Sequence, residues 1–346
     1  MYAVRDCYNL PMPINRRIVL AERPVGMPKP SDFRLEEAPA AEPGLGECLV
    51  RASYMSVDPY MRGRISGRKS YAASVQIGQT IVGGAVGKVI ASNAPSVAVG
   101  DHVTGNLGWQ EYAIASGAEL RRVDPAVAPL SAYLGVLGMP GLTAYHGLLK
   151  VAGVSPGETV CVSGAAGAVG SAVGQIARLN GCRAVGIAGG PEKCAWISGE
   201  LEFDAAIDYK AQDVSNALRV AAPDGVDAYF DNVGGPVTDA VFPHLNVNSR
   251  VAICGQISQY NAVDAPVGPR LLWHFIVKRI RAQGFLVFDF TDHHDEALAE
   301  MAGWVTQGKL KYRETIAEGI ENAPAAFIGM LGGANIGKQV VKLSDA

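Results

Sequence analysis

Seven consecutive residues carry the most legible chemistry in this chain: Gly164-Ala165-Ala166-Gly167-Ala168-Val169-Gly170. They follow a short β-branched run (159–163) and open a stretch with helical spacing (169–180). The form is A-x-G-x-x-G, with Ala165 where a dinucleotide-binding loop has its first glycine. Gly167 would let backbone approach a pyrophosphate, and Gly170 would let the helix pack closely on the strand. The helix start, with Ala168 and Val169 in its first turn, offers N–H groups and partial positive charge to that anion. An ordinary glycine-rich turn has the same composition, so the weight comes from the alternating β and α text around it.

The choice of dinucleotide is read about 20 residues further on, where an NAD site places an acid against the ribose 2′-hydroxyl. Here the second strand ends Ala188-Gly189-Gly190-Pro191-Glu192-Lys193, with no acid at the strand end. Pro191 suits the first turn of a helix, and Lys193 lies in that turn. A 2′-phosphate would meet both the helix dipole and an ammonium, which favours NADP(H) over NAD(H). The other reading of Lys193 is an ordinary surface lysine.

Metal and nucleophile chemistry have no such signature. His102, His146, His244, His274 and the pair His293-His294 are scattered, and a catalytic zinc needs three protein ligands. The six cysteines contain no C-x-x-C pair, and no G-x-S-x-G elbow occurs. Hydride chemistry without a metal is therefore expected, the developing oxyanion being met by tyrosine or by cofactor hydroxyls.

These groups must be positioned by a large, well-folded chain. Of 346 residues, 49 % are apolar and 18 % charged, a globular balance. Glycine numbers 41, which points to many tight turns. The net charge of −3, without a long Lys/Arg block, argues against a nucleic-acid partner. No apolar run reaches the roughly 18 residues of a membrane span, and the N-terminus lacks the apolar core of a signal peptide. A cytoplasmic location is the expectation by elimination.

From Arg17 to about Ala115 short apolar runs recur between Gly, Pro, Asn and Asp, which predicts a compact β-rich unit. Beyond a long apolar stretch (131–150, interrupted by Pro140-Gly141) the text alternates. Strands are predicted over 159–163, 183–188, 204–208, 227–231, 250–255 and 281–287. Helices are predicted over 169–180, 191–200, 213–222 and 268–279. That alternation predicts a doubly wound parallel sheet, hence an α/β protein. A helix over 320–331 and a strand over 338–343 are expected to return to the N-terminal unit.

Six ordered segments carry a specific resemblance. They are Ser56-Val57-Asp58-Pro59-Tyr60-Met61-Arg62, Leu137-Gly138-Met139-Pro140-Gly141-Leu142-Thr143-Ala144-Tyr145, the loop 164–170, Phe230-Asp231-Asn232-Val233-Gly234-Gly235, Ile257-Ser258-Gln259-Tyr260-Asn261 and Asn335-Ile336-Gly337-Lys338. Together they resemble the zinc-independent medium-chain dehydrogenase/reductases, within the prostaglandin reductase, plant 2-alkenal reductase and bacterial curcumin reductase group. The resemblance runs from about Arg17 to Leu343. It implies a GroES-like β-rich catalytic domain (17–136), a Rossmann NADP-binding domain (137–305), a C-terminal return (306–346) and an N-terminal arm (1–16) without counterpart. It also implies a homodimer.

The same resemblance implies NADPH-dependent reduction of a carbon–carbon double bond conjugated to a carbonyl. It assigns Tyr60 and Tyr260 to the substrate, with Met139 and Leu286 lining the pocket. It assigns Lys193 and Tyr209 to the 2′-phosphate, and Asn232, Asn335, Thr143, Cys254 and Phe285 to the cofactor. One departure is Gly190, where relatives commonly carry Ser, which removes a hydroxyl from the phosphate site.

Taken by residue type, several of these positions have a second reading. Tyr60 could cap a strand, Asn232 and Asn335 could be turn residues, and Met139 and Leu286 could fill core. Arg62 and Arg64 could meet an acidic substrate group, although a solvated face is the expectation. Two rival activities also stand beside enone reduction. One is carbonyl or quinone reduction, or alcohol oxidation. The other is a non-catalytic NADPH-binding role.

Overall fold

The computed structural model describes residues 12–345, so residues 1–11 of the arm lie outside it. The β-rich unit contains β1 (Ile14–Leu20), β2 (Phe33–Pro39), β3 (Glu47–Ser56), β4 (Ala85–Ser92), β5 (His102–Gly105), β6 (Tyr112–Ser116) and β7 (Arg121–Arg122). The second unit contains β8 (Thr159–Ser163), β9 (Arg183–Ala188), β10 (Ala205–Asp208), β11 (Val226–Asp231), β12 (Leu245–Ile253) and β13 (Arg281–Gly284). Two last strands follow, β14 (Glu314–Glu318) and β15 (Lys338–Lys342).

The second unit has the expected doubly wound form. Its strands run in the order β10-β9-β8-β11-β12-β13, all parallel. The order reverses between β8 and β11, which opens a crevice at their carboxyl ends where α/β ligands bind. β8 is buried along its whole length, as expected of a strand covered on both faces. The helix Ala168–Leu179 covers it with Ala172, Val173, Ile176 and Ala177. Gly174 leaves room on that helix for the ring of Phe203.

The β-rich unit is an antiparallel sheet, β3-β4-β5-β7, with β6 on the other side of β3. The chain's end completes it: β15 pairs antiparallel with β3, and β14 lies outside β15. The helix Ala323–Leu331 adds Phe327, whose ring meets Trp109 edge-on at 5.8 Å. Trp109 is wholly buried and stacks on Phe33, so truncating it would cost about 3–5 kcal/mol.

The structure differs from the sequence reading in several places. Strand β1 already begins at Ile14, so the last residues of the segment read as an arm are paired. Pro140 does not interrupt a helix. It occupies the first turn of one, Met139–His146, where its missing N–H costs nothing. The helix His294–Thr306 was not anticipated, because it buries only Ala297 and Met301 and carries little apolar period. Strand β13 stops at Gly284, and the chain turns at Leu286, whose N–H is held by Asp289 at 2.9 Å. No helix among the described residues is long and apolar enough to cross a membrane.

Candidate active site

The glycine loop 164–170 lies between the end of β8 and the helix Ala168–Leu179. Gly164 has φ +62, a conformation that favours glycine. A Cβ on Gly170 would run into the Gly164 carbonyl oxygen and lie 2.8 Å from Ala165 Cα. Ala165 is fully buried and its N–H bonds Ile187 O at 3.0 Å, so its methyl is core and only its backbone borders the crevice. Gly167 starts the helix, and the first-turn amides of Ala168, Val169 and Gly170 precede any intrahelical acceptor.

The loop at the end of β9 forms the second part. Gly190 has φ +98 with nothing within 4 Å of a Cβ position, so it faces open space. Its N–H bonds Asp208 Oδ1 at 2.8 Å, and the amide of Lys210 bonds the same oxygen at 3.0 Å. Those two bonds hold the Asp208 carboxyl below the usual range. The acid that ends β10, in register with Ala188 at the end of β9, is thus committed to backbone. The Tyr209 ring lies against Gly189, where a Cβ would be 2.7 Å from its Cε1. Lys193 is half-buried, and its Nζ donates to Gly333 O at 2.8 Å. Burial, then Lys210, lowers its pKa.

Gly333 belongs to the segment bearing Asn335. Asn335 Nδ2 donates to Gly337 O at 2.8 Å, and Gly337 N–H bonds Ala166 O at 2.8 Å. The C-terminal motif is therefore bonded directly to the glycine loop. A buried ion pair anchors its other end. Lys338 Nζ donates to Asp58 Oδ1 at 2.9 Å, Val57 O at 2.8 Å and Gln339 O at 3.0 Å, using all three protons. Ser56 Oγ donates to the other Asp58 oxygen.

Asp231, unassigned by the sequence reading, organises the crevice at the end of β11. Its Oδ1 accepts from Ser163 Oγ, Tyr229 OH and the amides of Val233 and Gly234, at 2.9–3.0 Å. Thr238 Oγ1 donates to its Oδ2 at 2.8 Å. Asn232 Nδ2 donates to Ser163 O at 2.8 Å, which ties β11 to β8 and leaves the amide oxygen for a ligand. The signal for Asp231 in the sequence was an acid closing an apolar strand.

Two tyrosines come from different units. Tyr60 precedes the short helix Met61–Arg64 and packs on the β-rich core together with Ile257. Burial, then the Asp58 charge, pushes its hydroxyl well above the ordinary value of 10.0. Tyr260 follows the turn Ile257–Gln259 beyond β12. Its hydroxyl accepts the Gln256 N–H at 3.2 Å, and burial raises its pKa. Tyr71, which the sequence reading did not assign, lies on the exposed loop that follows the short helix and lines a pocket there with Arg68 and Gln76.

The remaining assigned residues divide. Cys254 sits beside Asp231, its N–H on Asp231 O at 2.8 Å; burial, then that charge, pushes its thiol up to about 12. Met139 and Leu286 are partly exposed. Thr143 is buried, with its hydroxyl donated to Met139 O at 2.7 Å. Phe285 has its ring in the core, edge-on to Phe230 at 6.0 Å. Arg62 is a correction outright. It is 4 % exposed rather than solvated, because Asn261, Pro24 and Gly26 enclose its guanidinium. Among the described residues no group of three His, Cys, Asp or Glu could hold a metal.

Comparison with known proteins adds to this geometry. A family model described as the N-terminal domain of oxidoreductase matches residues 16–123, and one described as zinc-binding dehydrogenase matches 168–304. The chain is 48 % identical over 335 residues to the NADPH-dependent curcumin reductase of Escherichia coli (strain K12), covering 95 % of this chain and 97 % of that one. It is 43 % identical over 338 residues to the NADP(+)-dependent 2-alkenal reductase of Nicotiana tabacum, covering 95 % and 98 %. The crystal structure of CurA in complex with NADPH from Vibrio vulnificus superimposes with a TM-score of 0.92 at 48 % identity, over 96 % of this chain and 100 % of that one.

Proposed function

The chain belongs to the zinc-independent medium-chain dehydrogenase/reductases, and on that premise we infer that it uses NADPH to reduce the carbon–carbon double bond of α,β-unsaturated ketones and aldehydes. The observation that supports this reading best is the glycine loop at the end of β8, with the Tyr260 hydroxyl beside Gly255 and Asn232 at the neighbouring strand ends.

The residues fit NADPH. Gly170 tolerates no side chain, Gly190 faces open space, and Lys193 is held by a neutral carbonyl rather than a carboxylate. Residues 167–170 would hold the pyrophosphate, and Gly190, Lys193 and Tyr209 the 2′-phosphate. Asn232, Asn335, Thr143 and Cys254 would border the rest. Bound NADPH supplies a hydride.

Addition at the substrate's β-carbon moves negative charge onto its carbonyl oxygen. Tyr260 and Tyr60 would donate hydrogen bonds to that oxygen. A tyrosine is protonated at neutral pH and burial shifts both further from ionisation, so they act as donors and not as phenolates. The α-carbon is then protonated, by solvent or by a tyrosine.

The test is turnover of a short 2-alkenal and an aryl enone with NADPH, the product identified by mass and NMR. A saturated carbonyl is expected; an allylic alcohol overturns the reading. Tyr260→Phe should lower kcat about 100-fold, the usual cost of one oxyanion donor, with NADPH affinity unchanged.

We also infer a homodimer. The outer edge of β13 is unpaired among the described residues, and the helix Leu272–Lys278 leading into it exposes Leu272, Trp273 and Ile276. Light scattering at twice the chain mass is the expected outcome. A cytoplasmic setting suits the free thiols of Cys48, Cys161, Cys182, Cys194 and Cys254.

A further inference from the structure

Arg62 stands two residues after Tyr60, and Asn261 stands one residue after Tyr260. The two side chains meet: Arg62 Nε donates to Asn261 Oδ1 at 2.9 Å, across 199 positions of sequence. Arg62 Nη2 donates to Pro24 O at 3.2 Å and Gly26 O at 2.8 Å. Its Nη1 is buried without a partner among the described residues. On the other side, Asn261 Nδ2 contacts Met27 Sδ at 3.4 Å, and Arg68 Nη2 donates to Ala262 O at 3.1 Å. The loop carrying Tyr260 thus leaves the parallel sheet but is fastened to the β-rich unit.

A guanidinium loses much hydration on burial, and here its bonds go to neutral oxygens alone. Apolar packing would join two units without that cost. What a planar, forked donor adds is direction, since its bonds fix both angle and register. Oxyanion donors require such fixing, because a misplacement of about 1 Å can cost about 100-fold in rate.

We propose that Arg62 is a positioning residue that clasps Asn261 and so sets Tyr260 against Tyr60 across the crevice. The proposal rests on the reading of these tyrosines as the substrate-facing pair. Its action is on geometry alone; no proton or electron passes through Arg62.

The experiment is a double-mutant cycle on turnover of a 2-alkenal with NADPH, run beside Tyr260→Phe. Asn261→Ala is expected to lower kcat about 10-fold to 100-fold with NADPH affinity unchanged. Asn261→Asp keeps an acceptor for Nε and should restore most of the rate. Arg62→Lys keeps the charge but loses the fork and should match Asn261→Ala. The double variant should be no worse than the poorer single, within about twofold. If Arg62→Lys does not fold, the Ala and Asp variants at the part-exposed Asn261 decide alone.

The proposal is overturned if Asn261→Ala keeps wild-type kcat while Tyr260→Phe is impaired, or if the two losses simply multiply. It is also overturned if the loss of kcat follows an equal loss of NADPH affinity. Full activity in Tyr260→Phe defeats the tyrosine assignment instead, and the clasp's purpose with it.

Discussion

At the ends of β8 and β9 the crevice is made of backbone: Gly164 and Gly190 at positive φ, Gly170 without room for a methyl, and the amides that open a helix. Near the ends of β3 and β15 the fold is held by buried charged side chains: Asp58 on Lys338, and Arg62 on three oxygens. The first region presents shape and dipole, which suit an anion of fixed form. The second presents directional bonds, which suit the placing of a donor. Backbone shape comes from neighbours in sequence. The charged network needs partners far along the chain.

The contrast can be broken most forcefully at Asp58. Asp58→Ala would strand the buried Lys338 ammonium, and calorimetric or urea unfolding should read a loss of about 3–5 kcal/mol. Lys338→Met, which removes the other charge, leaves Asp58 buried and should be comparably destabilised.

In the backbone region, Gly170→Ala should overpack the loop by about 1–3 kcal/mol, up to about 100-fold in NADPH affinity. Fluorescence titration checks this, and wild-type affinity would mean that the loop relaxes freely. Lys193→Ala should weaken NADPH binding about tenfold and leave NADH unchanged, since a half-buried ammonium contributes at the lower end for a charged hydrogen bond. Equal loss of both dinucleotides would place Lys193 outside the 2′-phosphate site.

The smallest effect is a dependence on pH at the back of the second unit. His146 is fully buried, stacked on Phe290 at 5.0 Å and near His294. Burial, then His294 and His293, lowers its pKa from 6.5 to about 4. The unfolded chain therefore takes up the proton first as pH falls. His146's contribution is complete above about pH 6.5 and is lost progressively toward pH 4. The Tm of His146→Phe should fall less over that window than the wild-type Tm.

What could be read in advance follows the same division. The loop 164–170, the alternation of strands and helices, and Pro191 with Lys193 in its first turn are local patterns. Their physics lies within a few residues. Arg62 read as solvated because a charged residue normally is, and its enclosure depends on Asn261, 199 positions away. Asp58 and Lys338 stood in quoted motifs, yet their pairing across 280 positions had no sequence signal. The packing of the Phe285 ring into the space that Gly147 leaves beside Phe230 had no sequence signal either. Tyr71 lay in a loop whose path no periodicity describes.

By itself the sequence determined the class of fold, the place of the glycine loop between strand and helix, and the family, since strand and helix periods, glycine spacing and ordered motifs are properties of short segments. Only the tertiary structure decided which charges are buried, which bonds join the C-terminal motif to the glycine loop, and that Tyr60 and Tyr260 are held from opposite units. Those are encounters between distant segments, and their energies depend on burial that exists only once the chain has folded.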